Sequence, residues 1–296
     1  MEDSDVDPTK RLFEFGTNEA IVFKQISKAL HKIFIDSVFI ITSHGIFLQD
    51  SLEGNSLVLE LRLKSQKFTP YNMPTFEREG SSIVLGFSTK DFKDALERIT
   101  KTDHFCMYVL EANPNYLHME IWNPNKSGRV YKFITLKRSS INDILTSSYQ
   151  DHNPTVSILP TQFKKATADA GKNSKNLVLI TGQKRGLKIE GIETQLTGLK
   201  EVFGEWIEGS QDIVYQQYIS TKRLVAFSEI VALSKNVQVY ATIGKPLKIS
   251  CSTGDLGMAS IYLKGEKAPN SNNNNQAENQ YAYLENGKSQ NQLYLQ

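Results

Sequence analysis

Lysine residues recur every four positions near the start of the chain, at Lys24, Lys28 and Lys32. Apolar residues lie between them at helical spacing, so the segment from about Glu19 to Phe34 is predicted to be a helix with one basic face. Flexible ammonium groups on one face could contact the phosphates of a nucleic acid, but they are equally typical of a solvated helix surface. Because the formal net charge is only +2, any role in binding a polyanion depends on where the lysines lie.

Other residue types that could support chemistry lack the necessary spacing. The five histidines, at positions 31, 44, 104, 118 and 152, form no HExxH or other tight metal motif, and the two cysteines belong to no CxxC pair. The GKS triplet at 287–289 has Ala282 where a phosphate-binding loop needs its first glycine. The sequence therefore predicts no catalytic residues, no metal site and no cofactor, and the isolated cysteines favour a reducing compartment.

The composition is typical of a globular protein. A chain of 296 residues with 40% hydrophobic content can form about two domains. It contains no run approaching the ~18 to 20 apolar residues of a membrane span, and the N-terminal sequence MEDSDVDPTKR is polar and acidic. We therefore expect neither membrane association nor export by a standard route.

One structural unit, a helix followed by short strands, recurs along the chain. After the first helix come VFIITSHGIFLQ and SLVLELRL, which are rich in Val, Ile and Leu and contain a glycine turn. The same order returns from Pro160, where TQFKKATADAG is followed by NLVLITGQKRGLKIEGIE. Weaker versions begin with predicted helices from Thr89 to Lys101 and from Thr221 to Ser234. Four units indicate an α+β fold of two similar domains, each with its helices on one face of mainly antiparallel sheets.

The composition also suggests where these domains begin and end. A polar segment at 137–155 contains Pro154 and a small apolar cluster of Ile141, Ile144 and Leu145, and is predicted to connect the domains. Residues 268–296 are dominated by Asn and Gln and are expected to form a disordered tail. The predicted domains are therefore 1–136 and 156–267.

Three stretches resemble the proliferating cell nuclear antigen family of DNA sliding clamps. The segments KALHKIF, SHGIFLQDS and LVLELRLKSQKFTPY look like the family's first helix and hairpins, and VSILPTQFKKATADAG with LVLITGQKRGLKIEG looks like the start of its second domain. KPLKISCSTGDLGMASIYLKGEK is similar to the C-terminal strands, so the resemblance covers roughly residues 19–267. It implies three subunits that close head to tail into a ring, with the helices lining the hole and the sheets outside.

The resemblance implies a DNA-facing set of basic residues on the four helices. Lys24 and His31 match basic positions of the family, whereas Gln25 and Glu229 stand where basic residues would be expected. The candidates for DNA binding are Lys24, Lys28, His31, Lys32, Lys90, Lys93, Lys164, Lys165, Lys222 and Arg223.

Two further surfaces follow from the resemblance. A pocket for partner peptides would lie beneath the connector, and its candidates are Ile141, Ile144, Leu145, Pro246, Tyr262 and Leu263. The turn at 50–55 departs from the family pattern, which could change the rim of this pocket. Edge strands would pair between subunits, one of them at 129–136 with Tyr131 and Phe133, the other within 192–207. In that second region Leu199, Val202, Phe203 and Trp206 could be interface residues or local core.

The resemblance implies a homotrimer that encircles double-stranded DNA and serves as a polymerase processivity factor and docking platform. Its expected partners are DNA polymerase, other proteins with clamp-binding peptides, and a clamp-loader ATPase. The expected site of action is the nucleus, or a cytoplasmic replication factory if the source is viral. Two alternatives remain, namely one subunit of a heterotrimeric checkpoint clamp and a monomeric polymerase accessory factor that binds DNA directly.

Overall fold

The computed structural model describes residues 9–74, 82–139, 153–173, 176–191 and 200–267, and we call the residues up to 139 the first half and those from 153 the second half. The first half comprises β1 (Arg11–Thr17), α1 (Ala20–Ile33), β2 (Asp36–Thr42), β3 (Gly45–Ser51), β4 (Leu57–Lys64), β5 (Tyr71–Asn72), β6 (Ile83–Ser88), α2 (Thr89–Leu96), β7 (His104–Leu110), β8 (Asn113–Trp122) and β9 (Arg129–Lys137). The second half comprises β10 (Val156–Ile158), α3 (Pro160–Asn173), β11 (Leu177–Gly182), β12 (Gly186–Gly191), β13 (Lys200–Gly204), β14 (Tyr215–Ser220), α4 (Thr221–Val231), β15 (Val237–Tyr240), β16 (Leu247–Ser252) and β17 (Gly257–Leu263).

The strands form two antiparallel sheets, one of which runs through both halves. Its strand order is β10-β15-β16-β17-β4-β3-β2-β6-β9-β8-β7-β1-β5, and the smaller sheet has the order β13-β12-β11-β14. The halves join where β17 pairs with β4, from Leu263 opposite Leu57 to Gly257 opposite Leu63. The predicted α+β fold with helices and mainly antiparallel sheets is confirmed.

The four α-helices of the described residues form a row. Helix α1 contacts α2 on one side and α4 on the other, and α4 in turn contacts α3, so the order is α2-α1-α4-α3. The apolar side of each helix packs toward the strands, as in α1, where Val22, Phe23, Ile26 and Leu30 are buried. The polar sides therefore share one face of the molecule. Among the described residues, no helix has both the length and the apolar character needed to cross a membrane.

Helix boundaries follow the sequence prediction most closely for α1, which begins and ends within one residue of the predicted limits. Helix α2 ends at Leu96, earlier than the predicted Lys101. The carboxylate of Asp103 accepts a hydrogen bond from the Thr100 backbone N–H at 2.7 Å and another from the Asn123 side chain at 2.9 Å. These local side-chain bonds offer the backbone an alternative to a further helical turn.

Phe23 lies at the centre of an aromatic cluster in the first half. The ring is fully buried, with centroids 5.4 Å from Phe15, 6.2 Å from Phe68 and 5.0 Å from Phe105. We expect Phe23→Ala to lower the free energy of unfolding by about 3–5 kcal/mol, because it leaves a cavity among these rings. Denaturant unfolding measures the change. Ile35→Ala, at a side chain that is 87% exposed, is the control and should cost no more than about 0.5 kcal/mol; equal losses would contradict the central role of Phe23.

Candidate nucleic-acid interface

Helix α1 presents its basic residues on the side away from the sheet, and these are Lys24, Lys28, His31 and Lys32. Two of them also bond to residues of the neighbouring segments on either side of α1. Lys24 Nζ donates to the Ile99 carbonyl at 2.7 Å, beyond the end of α2, and Lys32 Nζ lies 2.5 Å from a carboxylate oxygen of Glu229 on α4. Lys28 lies between them on the helix surface. The outward face of α1 is therefore basic, but part of its charge is already balanced within the chain.

Helix α2 has two distinct polar faces. Asp91, Asp94 and Arg98 follow one another at helical spacing and line a groove between α2 and β9. Lys90 and Lys93 lie on the adjacent face, where Lys93 Nζ is 3.1 Å from Asp94 Oδ1. The predicted DNA-binding lysines of α2 are thus separate from its groove-lining residues, and Lys93 is partly neutralised.

The other two helices contribute four exposed lysines, one of which is Lys172 in the last turn of α3. Lys164 and Lys165 are exposed on α3, and Lys165 Nζ lies 3.9 Å from Glu201 of strand β13. Lys222 is exposed at the start of α4. Basic residues therefore extend along the whole helix row.

The structure gives Arg223 a different place from the predicted one. Its guanidinium donates to the backbone carbonyl and the hydroxyl of Ser56, both at 3.2 Å, and lies 3.4 Å from Glu266. Ser56 precedes β4 in the first half, whereas Glu266 follows β17 in the second. Arg223 thus joins the two halves and is not part of the outward basic face.

Within the described part of the chain, six helix lysines form no ion pair, namely Lys24, Lys28, Lys90, Lys164, Lys172 and Lys222. Lys24 donates to the Ile99 carbonyl, and Lys172 lies in the last turn of α3, whereas Lys28, Lys90, Lys164 and Lys222 supply one lysine from each helix. An ammonium group without a carboxylate partner loses least when it approaches a phosphate, so these lysines are the best candidates for contact with a nucleic-acid backbone.

Among the described strands, β9 and β13 each have one free edge. Strand β9 pairs with β8 along 129–135, but its other side pairs with β6 only at Leu136 and Lys137. Three apolar side chains of this edge are exposed, Val130 by 45%, Tyr131 by 61% and Phe133 by 66%. A row of unpaired backbone groups flanked by exposed aromatic rings is typical of a site for strand pairing with another chain.

Strand β13 lies at the end of the smaller sheet and pairs there with β12 alone among the described strands. Its exposed apolar residue is Val202, with 41% of its surface accessible. Phe203, one of the predicted interface residues, is half-buried and packs against the core. Of the two roles considered for it, interface or local core, this position favours local core. Leu199 lies outside the described residues. Among the described residues of this free edge, Val202 is therefore the exposed apolar side chain.

Around the predicted peptide pocket, Tyr262 is buried, and burial raises the pKa of its phenol to about 12, with the nearby Glu60 adding to the effect. Lys248 Nζ lies 5.7 Å from the centre of the Tyr262 ring and 4.9 Å from that of Tyr240. Leu263 is fully buried in the core, so it cannot contact a peptide as predicted. Pro246 is half-buried, and Ile141, Ile144 and Leu145 lie outside the described residues. Tyr262 and Pro246 are thus the candidates left to form the floor of such a pocket.

Cys106 is buried in strand β7, and His118 is half-buried in strand β8. Burial, together with Glu14, raises the pKa of the Cys106 thiol to about 12, and burial next to Arg11 lowers the pKa of His118. The His118 ring stacks on Tyr108 with a centroid distance of 5.3 Å. Across the described ranges, no three side chains of His, Cys, Asp or Glu come together as a metal site.

Two similarities to known proteins emerge from comparison of the sequence and the fold. No family model matches the chain. The proliferating cell nuclear antigen of Chaetomium thermophilum is 24% identical over 262 residues, which are 85% of this chain and 97% of that protein. The crystal structure of proliferating cellular nuclear antigen from Entamoeba histolytica matches with a TM-score of 0.71 at 14% identity, and covers 87% of this chain and 100% of the other. The structural likeness shows that this chain has the same fold as that protein.

Proposed function

We propose, from the premise that this chain is a sliding clamp of the proliferating cell nuclear antigen family, that it closes head to tail into a homotrimeric ring around double-stranded DNA. The observation that supports this proposal is the position of two free strand edges at opposite ends of the helix row. The helix row α2-α1-α4-α3 has the free edge of β9 beside α2 and the free edge of β13 near α3. Pairing these edges between copies would continue both the sheet and the helix row from one subunit to the next.

Such an interface is heterologous, because the surface that β9 offers differs from the one that β13 offers. A heterologous contact forms a ring when the rotation between copies closes, and it satisfies backbone groups that would otherwise face water. The exposed aromatic residues Tyr131 and Phe133 supply apolar surface on one side, and Val202 supplies it on the other. Repetition of the contact would place every helix row on the inside.

Inside the ring, Lys28, Lys90, Lys164 and Lys222 would face the duplex. Lysine side chains attract phosphates at long range and are flexible, so they hold DNA without reading its bases. This suits a protein that moves along DNA as a polymerase processivity factor. Partner proteins, including DNA polymerase and a clamp-loader ATPase, would dock on the outside near Tyr262, and the function requires no catalysis by this chain. The proposed compartment is the nucleus.

The mass of the protein in solution tests this proposal first. Light scattering over a range of concentrations should give about three times the 33.4 kDa of one chain. Trimers loaded on nicked circular DNA should then be retained and should slide off after linearisation. A monomer that binds linear and circular DNA equally would support a directly binding accessory factor, and a monomer that forms rings only with two other chains would support a checkpoint clamp subunit.

A further inference from the structure

A groove lies between α2 and β9. Two adjoining cavities of about 470 and 360 Å³ share Asp94, Ala95 and Lys132 in their walls. Lys132 is on the helix side of β9, because it alternates with Phe133 and is two residues from the buried Ile134. An acidic helix residue and a basic strand residue therefore line the same groove at the α2 end of the helix row.

At the other end of the helix row, beside α3 and β13, the positions of the acidic and basic residues are reversed. Lys165 is exposed on α3, and Glu201 is on the helix side of β13, two residues from the core-packed Phe203. The two charges lie 3.9 Å apart and both remain partly accessible. Here the helix residue is basic and the strand residue is acidic.

We propose that these four residues form a charge quartet between neighbouring copies, in which Asp94 faces Lys165 and Lys132 faces Glu201. The inference rests on the proposed ring. When β9 of one copy pairs with β13 of the next, the helix-side residues of both strands lie on the same face of the joined sheet, beneath α2 and α3. Asp91, which also lines the groove, adds a second acidic group on the α2 side.

The charge quartet would determine that the β9 surface of one copy joins the β13 surface of the next, and it would set how the two strands are aligned. Opposite charges lie across the contact in both layers, so a copy approaching with like ends together would meet repulsion in both layers. Because the four side chains are partly exposed, their contribution should fall as salt concentration rises. Apolar contacts of the strand edges would supply most of the affinity.

Two charge-neutral swaps test the quartet. The first variant carries Asp94→Lys with Lys132→Glu, and the second carries Lys165→Glu with Glu201→Lys. Each keeps one acidic and one basic residue at the same end of the helix row but places like charges across the contact. Each should raise the concentration for half-assembly by about tenfold or more, whereas the variant with all four changes should assemble like the wild type.

The swap of Lys10→Glu with Glu111→Lys is the matched control, since that exposed pair lies on neither edge strand and should leave assembly unchanged. Circular dichroism verifies folding, and light scattering at two salt concentrations gives assembly. If both two-residue variants form trimers as readily as the wild type, or if the four-residue variant fails to recover, the quartet is wrong while the ring stands. A wild type that never associates would overturn the ring itself, and the quartet with it.

Discussion

Replacing Tyr131 and Phe133 with aspartate is expected to convert the trimer into folded monomers. Both side chains are more than half exposed in the single chain, so their loss should have little effect on folding. In the proposed ring they become buried against the next subunit, where each contributes about 1.5–3 kcal/mol. Losing both, and burying charge in their place, should weaken each interface at least a hundredfold.

Light scattering on the doubly substituted protein measures this effect. Ile35→Asp with Ile243→Asp is the matched control, because these residues are 87% and 58% exposed and lie on neither β9 nor β13. The control should remain trimeric although it carries the same change in charge. If Tyr131→Asp with Phe133→Asp also remains trimeric, strand β9 is not the contact surface, and another edge must be sought.

The sequence predicts elements best where one periodicity governs a local segment. The apolar spacing in α1 reproduces its limits to within one residue, and the strand predicted at 129–136 is observed as Arg129–Lys137. Helix α1 has one face toward the core and one toward solvent, so the apolar spacing reflects its burial directly, whereas β9 is mostly exposed and was identified by the family resemblance. The repeat likewise predicts a helix followed by short strands, and β2, β3 and β4 follow α1 as β11, β12 and β13 follow α3.

Predictions fail where a residue's role depends on contacts distant in sequence. Arg223 belongs to a basic pair in sequence, but its partner Ser56 lies 167 positions away, across the pairing of β4 with β17. Leu263 follows Tyr262 directly, and strand alternation turns the two side chains to opposite faces. Resemblance to a peptide pocket could not by itself separate them. The groove beside α2 was also missed, because the residues that line it come from elements well separated in sequence.

Removing one lysine without an ion pair from each helix should weaken DNA binding without affecting assembly. The variant carries alanine at Lys28, Lys90, Lys164 and Lys222, which lie on four different helices. Each phosphate contact contributes about 0.9 to the slope of log affinity against log salt concentration. A homotrimer of this variant lacks twelve lysines, and if about three of them contact phosphates at one time, their loss would lower affinity for a short linear duplex on the order of a hundredfold at ~0.1 M salt.

A second variant with the same change in charge controls for the overall field of the protein. It replaces four exposed lysines outside the helices by alanine, and these are Lys64, Lys67, Lys184 and Lys264. DNA-binding titrations at several salt concentrations give the slope of log affinity against log salt concentration, which should be reduced for the helix variant only. Equal slopes for the two variants would mean that DNA binds at another surface. On closed circular DNA, both variants should still be retained once loaded, because encirclement holds the ring there whatever the strength of its phosphate contacts. That contrast separates binding by charge from retention by topology.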